Sequence, residues 1–134
     1  MFNLHPTLAT DCIEITRWDV SRVLLMKDAN YPWLILVPAR ADLCGLHELA
    51  EVDLSSMMDE IVRASKAMKQ LYQPVRINVA ALGNVVEQLH VHVIARFEDD
   101  GAWPGPVWGV KPRLEYSAQA LQETVQNLQE ALTD

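Results

Sequence analysis

Positive charge is scarce in this chain: 11 Lys and Arg stand against 18 Asp and Glu, for a formal net charge of −7. That deficit argues against a general nucleic-acid surface or an anionic-membrane patch. It still allows a small anion, held by backbone dipoles and one or two arginines. Cysteine is scarcer still. Cys12 and Cys44 lack a CxxC spacing, so they read as free thiols in a reducing compartment rather than as a disulfide. The longest apolar run, 33-WLILVP-38, is far too short to span a bilayer. The first residues, 1-MFNLHPTLATD-11, hold no basic region, no long apolar stretch and no small-residue cleavage site. A soluble, cytoplasmic protein without a membrane partner is expected. No internal repeat and no low-complexity segment is present.

What the chain does have is an ordinary core composition. Half of its residues are apolar and 22% are charged, which fits a single domain over 1–134. Residues 12–18 and 20–26 alternate as paired strands with a turn near Trp18-Asp19. The loop 27-KDANYP-32 leads to a buried strand over 33–39. A long helix is expected over 51–73, with Leu54, Met57 or Met58, Ile61, Ser65, Met68 and Leu71 at three- and four-residue spacing and Pro74 at its end. Its methionines read as core fillers. Two further strands, 75–82 and 88–97, flank the turn signal Gly83-Asn84 and are expected to run antiparallel. Residues 98–116, rich in Pro, Gly and Trp, form a long loop of the kind that is usually functional or docked on a partner. A last helix, 117–134, starts at Ser117 as N-cap. The order predicts an α+β fold: an antiparallel sheet of about five strands, one central helix and one C-terminal helix around a core over 12–97.

One stretch raises a chemical question. In 88-QLHVHVIARF-97, two histidines stand inside what reads as a buried strand. Alternation puts Gln88, His90, His92 and Ile94 on one face and Leu89, Val91, Val93 and Ala95 on the other. Neighbours two apart on a strand face lie roughly 6.6–7 Å apart, close enough to serve one ligand. A solitary histidine on a strand is ordinarily a surface or satisfied core residue; two on one face, with a glutamine, point to a site. Three chemistries compete. The pair could ligate a metal, but no nearby Cys, Asp or Glu completes a familiar pattern, and Glu98 falls a position too far. His90 could serve a Ser or Cys nucleophile, but no nucleophile context is visible. Or one imidazole is itself the nucleophile. Imidazole attacks phosphorus near neutral pH and leaves again from the phosphoramidate, which splits one hard displacement into two easier ones.

The stretch Gln88-Leu-His90-Val-His92-Val-Ile94 resembles the histidine triad (HIT) signature, His-φ-His-φ-His-φ-φ with φ apolar. The resemblance extends to 33-WLILVPAR-40, an apolar strand ending in Val-Pro, to 46-LHEL-49 before the helix and to 83-GNVVEQ-88, and covers about residues 20 to 97. It implies a nucleotide hydrolase or nucleotidyl transferase. Such proteins attack the α-phosphate of a nucleoside phosphate derivative, pass through a nucleotidyl-histidine, need no cofactor and commonly pair as homodimers with sheets joined edge to edge. Matched position by position, His90 is the nucleophile and His92 contacts phosphate or helps the leaving group. Gln88 stands where the first triad histidine would be, and it cannot take or give a proton at neutral pH. Trp33 replaces another frequent histidine, and Val85 a frequent Ser or Thr. A catalytically weak nucleotide-binding or interaction protein is therefore the rival expectation.

The same resemblance makes Asp28 the preferred ribose contact, with Asn30 as second choice, although both are equally good turn formers in their loop. Asn84 is a candidate phosphate donor or simply a turn residue. Arg96 is read as a solvated strand end facing away from the histidines. His47 is read as a cap or packing residue at the helix start. Trp103 and Trp108 either close over the site or belong to a dimer interface.

Overall fold

The computed structural model describes residues 1–133. It opens on a short helix, α1 (Pro6–Asp11), which periodicity does not announce because six residues carry too little pattern. His5 caps it by accepting the N–H of Thr7 at 3.1 Å, and Pro6 sits in the first turn, where its missing N–H costs nothing. There follow β1 (Cys12–Arg17), β2 (Ser21–Met26), β3 (Trp33–Pro38), a single 3₁₀ turn (Leu46–Glu48), α2 (Glu51–Tyr72), β4 (Arg76–Ala80), β5 (Val91–Arg96) and α3 (Ala118–Leu132). The five strands form one sheet in the order β1-β2-β3-β5-β4, every neighbouring pair antiparallel. The α+β expectation holds. The last strand is shorter than expected: it begins at Val91, so Gln88, Leu89 and His90 form its irregular lead-in.

The sheet buries both faces. On one, Val91, Val93 and Ala95 of β5 join Leu34, Leu36, Val23 and Leu25 in a core closed by Met57, Ile61, Ala64 and Met68 of α2 and by Leu128 and Leu132 of α3. The expected apolar stripe of α2 is therefore rotated slightly. Ala64 takes the place given to Ser65, while Leu54 and Leu71 lie at the exposed margin. Glu60 docks the same helix against the β1–β2 turn, where its carboxylate accepts the N–H groups of Val20 and Ser21 at 2.9 Å each. Gln73, in the left-handed region at φ 52°, ends α2. Ser117 caps α3, its hydroxyl accepting the N–H of Ala120.

The opposite face carries Trp33, Ile35 and Val37 of β3 with Leu24 and Ile94. Among the described residues, no long helix joins its apolar cluster. Its cover is irregular chain: Phe2, Leu4 and Leu8 from the N-terminal segment, and Ala102, Val107 and Trp108 from the Pro/Gly-rich loop. This is the face that the two histidines share.

Candidate active site

His90 is placed by the bonds of its lead-in. The N–H of Leu89 donates to the carbonyl of Leu43 at 2.8 Å, which ties the lead-in of β5 to the loop after β3. The His90 Nδ1 atom then lies 2.6 Å from the carbonyl oxygen of Gln88. A carbonyl can only accept, so Nδ1 carries the proton, and in the neutral ring the lone pair sits on Nε2. The ring is 6% exposed, yet it is not sealed in. Together with Gly83, Leu89 and residues 44–47 it lines an open cleft of about 380 Å³.

His92 is set the other way round. The antiparallel register places Ile35 opposite His92 and Trp33 opposite Ile94, and from there the indole Nε1–H of Trp33 donates to His92 Nδ1 at 3.0 Å. An indole can only donate, so Nδ1 of His92 is bare and the neutral ring keeps its proton on Nε2. Burial, and secondarily the charge of His90, push the His92 imidazole down to about 4, so it stays neutral near pH 7. Aromatic rings enclose it: Trp108 at 5.0 Å and Trp33 at 5.7 Å between centroids. The two imidazoles meet edge to face at 4.9 Å. One ring thus offers a lone pair and the other an N–H.

Two expected outcomes follow. Trp33→Phe keeps a single aromatic ring but deletes the donor, leaving an unpaired buried nitrogen. It should cost about 1–3 kcal/mol in stability and free His92 to change tautomer, which the ¹⁵N shifts of the imidazole report directly. The second concerns pH. Because the folded state holds His92 near 4, against the ordinary 6.5 of an imidazole, the unfolded chain binds more protons between those values. Stability contributed by neutral His92 is full above about pH 6.5 and is lost as the pH falls toward 4, on the order of 3 kcal/mol. Denaturant midpoints of the wild type at pH 7 and pH 4.5, compared with those of His92→Asn, isolate that share; equal pH dependence in both would contradict it.

The remaining expected site residues are placed unevenly. Gln88 is next to His90, but its amide is spent elsewhere: Oε1 accepts the N–H of His5 and Nε2 donates to the carbonyl of Asn3, both at 2.8 Å. It clamps the N-terminal segment, and what orients His90 is its backbone carbonyl. That segment walls a second cleft, of about 550 Å³, with Val85 and residues 41–44. Asn84 is exposed on the turn, one residue beyond Gly83, whose φ of 72° suits glycine. Asp28 and Asn30 bond to each other and to a distant crossing segment. Asp28 Oδ1 accepts from the backbone and the amide of Asn30 and, at 3.3 Å, from the N–H of Leu114, while the Asn30 amide donates to Pro112. None of these bonds brings them to the histidines. Trp108 packs on His92, whereas Trp103 stands beside Arg96.

Arg96 corrects the sequence reading. Positions 90, 92, 94 and 96 share parity, so Arg96 belongs to the histidine face, and it is 1% exposed rather than solvated. Its guanidinium bonds Asp100 twice, Asn78 Oδ1 and the carbonyl of Gly105. His47, expected to cap or pack at the helix start, is exposed and also lines the His90 cleft. Trp33, which entered the sequence reading only as a missing histidine, is the residue that fixes His92. Its signal lay in the cross-strand register, which spacing along one strand does not carry.

The model of the HIT domain family matches residues 9–99. The chain belongs to the HIT domain family. A crystal structure of a histidine triad protein from Bradyrhizobium japonicum is similar to this HIT protein over 98% of both chains, with 46% identity and a TM-score of 0.95. One from Marinobacter aquaeolei VT8 shares 39% identity over 98% of this chain and 96% of its own, with a TM-score of 0.96. A third, from Sinorhizobium meliloti 1021, shares 39% over 98% and 97%, with a TM-score of 0.94. No match was found among the curated proteins. Among the described residues of this HIT protein, no group of three or more His, Cys, Asp and Glu comes together as a metal site, and no helix is long and apolar enough to cross a membrane.

Proposed function

We propose that this protein is a nucleotide hydrolase or nucleotidyl transferase acting at the α-phosphate of a nucleoside phosphate derivative through a nucleotidyl-His90 intermediate. One observation carries the reading: the opposite tautomers that Gln88 and Trp33 impose on His90, which lines an open cleft, and on His92 behind it. The Nε2 lone pair of His90 attacks phosphorus as the bond to the leaving group breaks and its electron pair departs with that group. The ring becomes cationic in the adduct, and the Gln88 carbonyl stabilises its Nδ1–H. His92 Nε2–H donates to a phosphate oxygen or to the leaving group. Water then attacks phosphorus, the P–N bond breaks, its electron pair returns to Nε2, and the water's proton passes to solvent. No cofactor takes part.

The rival, a catalytically weak nucleotide-binding protein, draws on a specific observation as well. With Gln88 committed to the N-terminal segment and Val85 turned to solvent, neither supplies a proton at the leaving group. On our reading this narrows the leaving groups accepted rather than ending catalysis. Asp28 remains the proposed ribose contact, with Asn30 beside it, and Asn84 the proposed phosphate donor. We place the protein in the cytoplasm, without nucleic-acid or membrane partners, as a homodimer. The free outer edge of β4, with Val75 and Val79 half exposed, is the surface on which a second sheet would continue. The test is rapid-quench trapping with α-labelled adenosine and guanosine phosphoramidates and dinucleoside polyphosphates. A protein-bound label that is stable to base and labile to acid is expected during turnover; turnover without such an adduct would sink the covalent mechanism, and binding without turnover would favour the rival.

A further inference from the structure

The cleft that receives the phosphate, on the reading above, lies in a chain with a net charge of −7, and its lining is nearly devoid of charge. Of the side chains around it, only His90 and His47 can become cationic. His90 is committed to the bond-forming step. We propose that His47 is the phosphate-binding residue of this cleft, its imidazole meeting the anionic oxygens of the substrate opposite the nucleophile. The proposal rests on the nucleotide reading and adds to it a residue outside the signature.

Three features of the local chain hold His47 in that place. The carboxylate of Glu48 accepts the N–H groups of Cys44 and Gly45 at 2.8 Å each, which closes the loop into a tight turn ahead of α2. The bond from Leu89 N–H to the Leu43 carbonyl fastens the same loop to the residue before His90. Gly45 then supplies the space for the ring: a Cβ built there would stand 2.5 Å from Cε1 and 2.6 Å from Nδ1 of His47. The imidazole therefore lies against the bare α-carbon of Gly45. Any other residue would drive it off, so glycine here is explained by the neighbour it accommodates. Cys44, Gly45 and His90 line the cleft together with His47; the carboxylate of the adjoining Glu48, which interacts electrostatically with His47, accepts backbone N–H groups and does not line the cleft. An imidazole held on this opening binds a phosphate dianion through a charge-assisted hydrogen bond.

The experiment titrates adenosine and guanosine monophosphate into protein carrying ¹³C-labelled histidine and follows the four Cε1–H resonances. His47 and His90 are expected to move along one saturating curve, with His5 unchanged. Calorimetry on the variants completes the test. His47→Ala should weaken monophosphate binding about tenfold and leave the affinity for the bare nucleoside unchanged, and His47→Lys should restore it. Gly45→Ala, which displaces the ring without removing it, should weaken binding in the same direction. If His90 responds while His47 does not, or His47→Ala binds the monophosphate within twofold of wild type, the role assigned to His47 is wrong and the reading of His90 survives. If neither ring responds to either nucleotide, both fall.

Discussion

His90→Ala is expected to abolish the trapped nucleotidyl adduct and to lower turnover by at least about four orders of magnitude. The expectation follows from the division of labour between the rings. His92 has its Nδ1 held by Trp33 and is pushed down to about 4, so it makes a poor nucleophile that nothing activates. Removing His90 therefore removes the covalent path itself, and removal of a nucleophile that acts as one unit with its partners costs most of the rate. The remaining donors still bind the nucleotide, so its dissociation constant should change far less than turnover. The variant also leaves the Gln88 carbonyl without its 2.6 Å partner, at a cost of about 1–3 kcal/mol in stability. A melting curve at assay temperature separates that cost from the loss of chemistry. Turnover within tenfold of wild type, in a folded variant, would show that His90 is not the attacking group.

Which parts of this arrangement the sequence discloses depends on the range of the interaction. The alternation of 88-QLHVHVIARF-97 is local, and from it the two faces of β5 follow: Val91, Val93 and Ala95 pack under α2, and His92 and Ile94 lie opposite. The same alternation, carried to its end, places Arg96 with the histidines; reading it as solvated rested on assigning position 96 to the opposite face, a slip of one in the parity. What spacing cannot disclose is who stands across the sheet. Trp33 meets His92 through the β3–β5 register, 59 residues away in sequence, and that register depends on the whole sheet. The N-terminal segment is legible neither by pattern nor by composition, since it is held by the Gln88 clamp and by the packing of Phe2, Leu4 and Leu8 on a face built from distant strands. The same limit applies to Trp108, whose loop has no periodicity and finds its place by docking on a face already built. His47 escaped because its role arises from the missing Cβ of a neighbour two positions earlier.

Arg96→Met should destabilise the fold by about 3–5 kcal/mol, which for a chain of this size lowers the melting temperature by roughly 10–20 °C. Methionine fills most of the volume and lies as comfortably among apolar groups, so the loss measures the polar clasp rather than packing. In the wild type the guanidinium is 1% exposed and every bond it makes joins separate pieces of chain: Asp100 and Gly105 in the Pro/Gly-rich loop, and Asn78 on β4. The rings of Tyr31 and Trp103 flank it at 5.8 Å each. Without it Asp100 remains buried with only backbone N–H groups for company. In the wild type, burial works against its ionisation, but the Arg96 bonds and the N–H groups of Phe97 and Ala102 hold its carboxyl below the ordinary range. The clasp is thus complete above about pH 4 and is lost only as the pH falls through that depressed value. Arg96→Lys should recover little, because an ammonium cannot span the two carboxylate oxygens as the planar fork does. The consequence reaches the site through the loop. Trp108 follows Gly105 by three residues and packs on His92, so a loosened loop admits water to that ring, and the imidazole should titrate closer to its ordinary value than to 4. A melting temperature within about 2 °C of wild type, with an unmoved His92 titration, would mean that the loop is held by its apolar contacts alone.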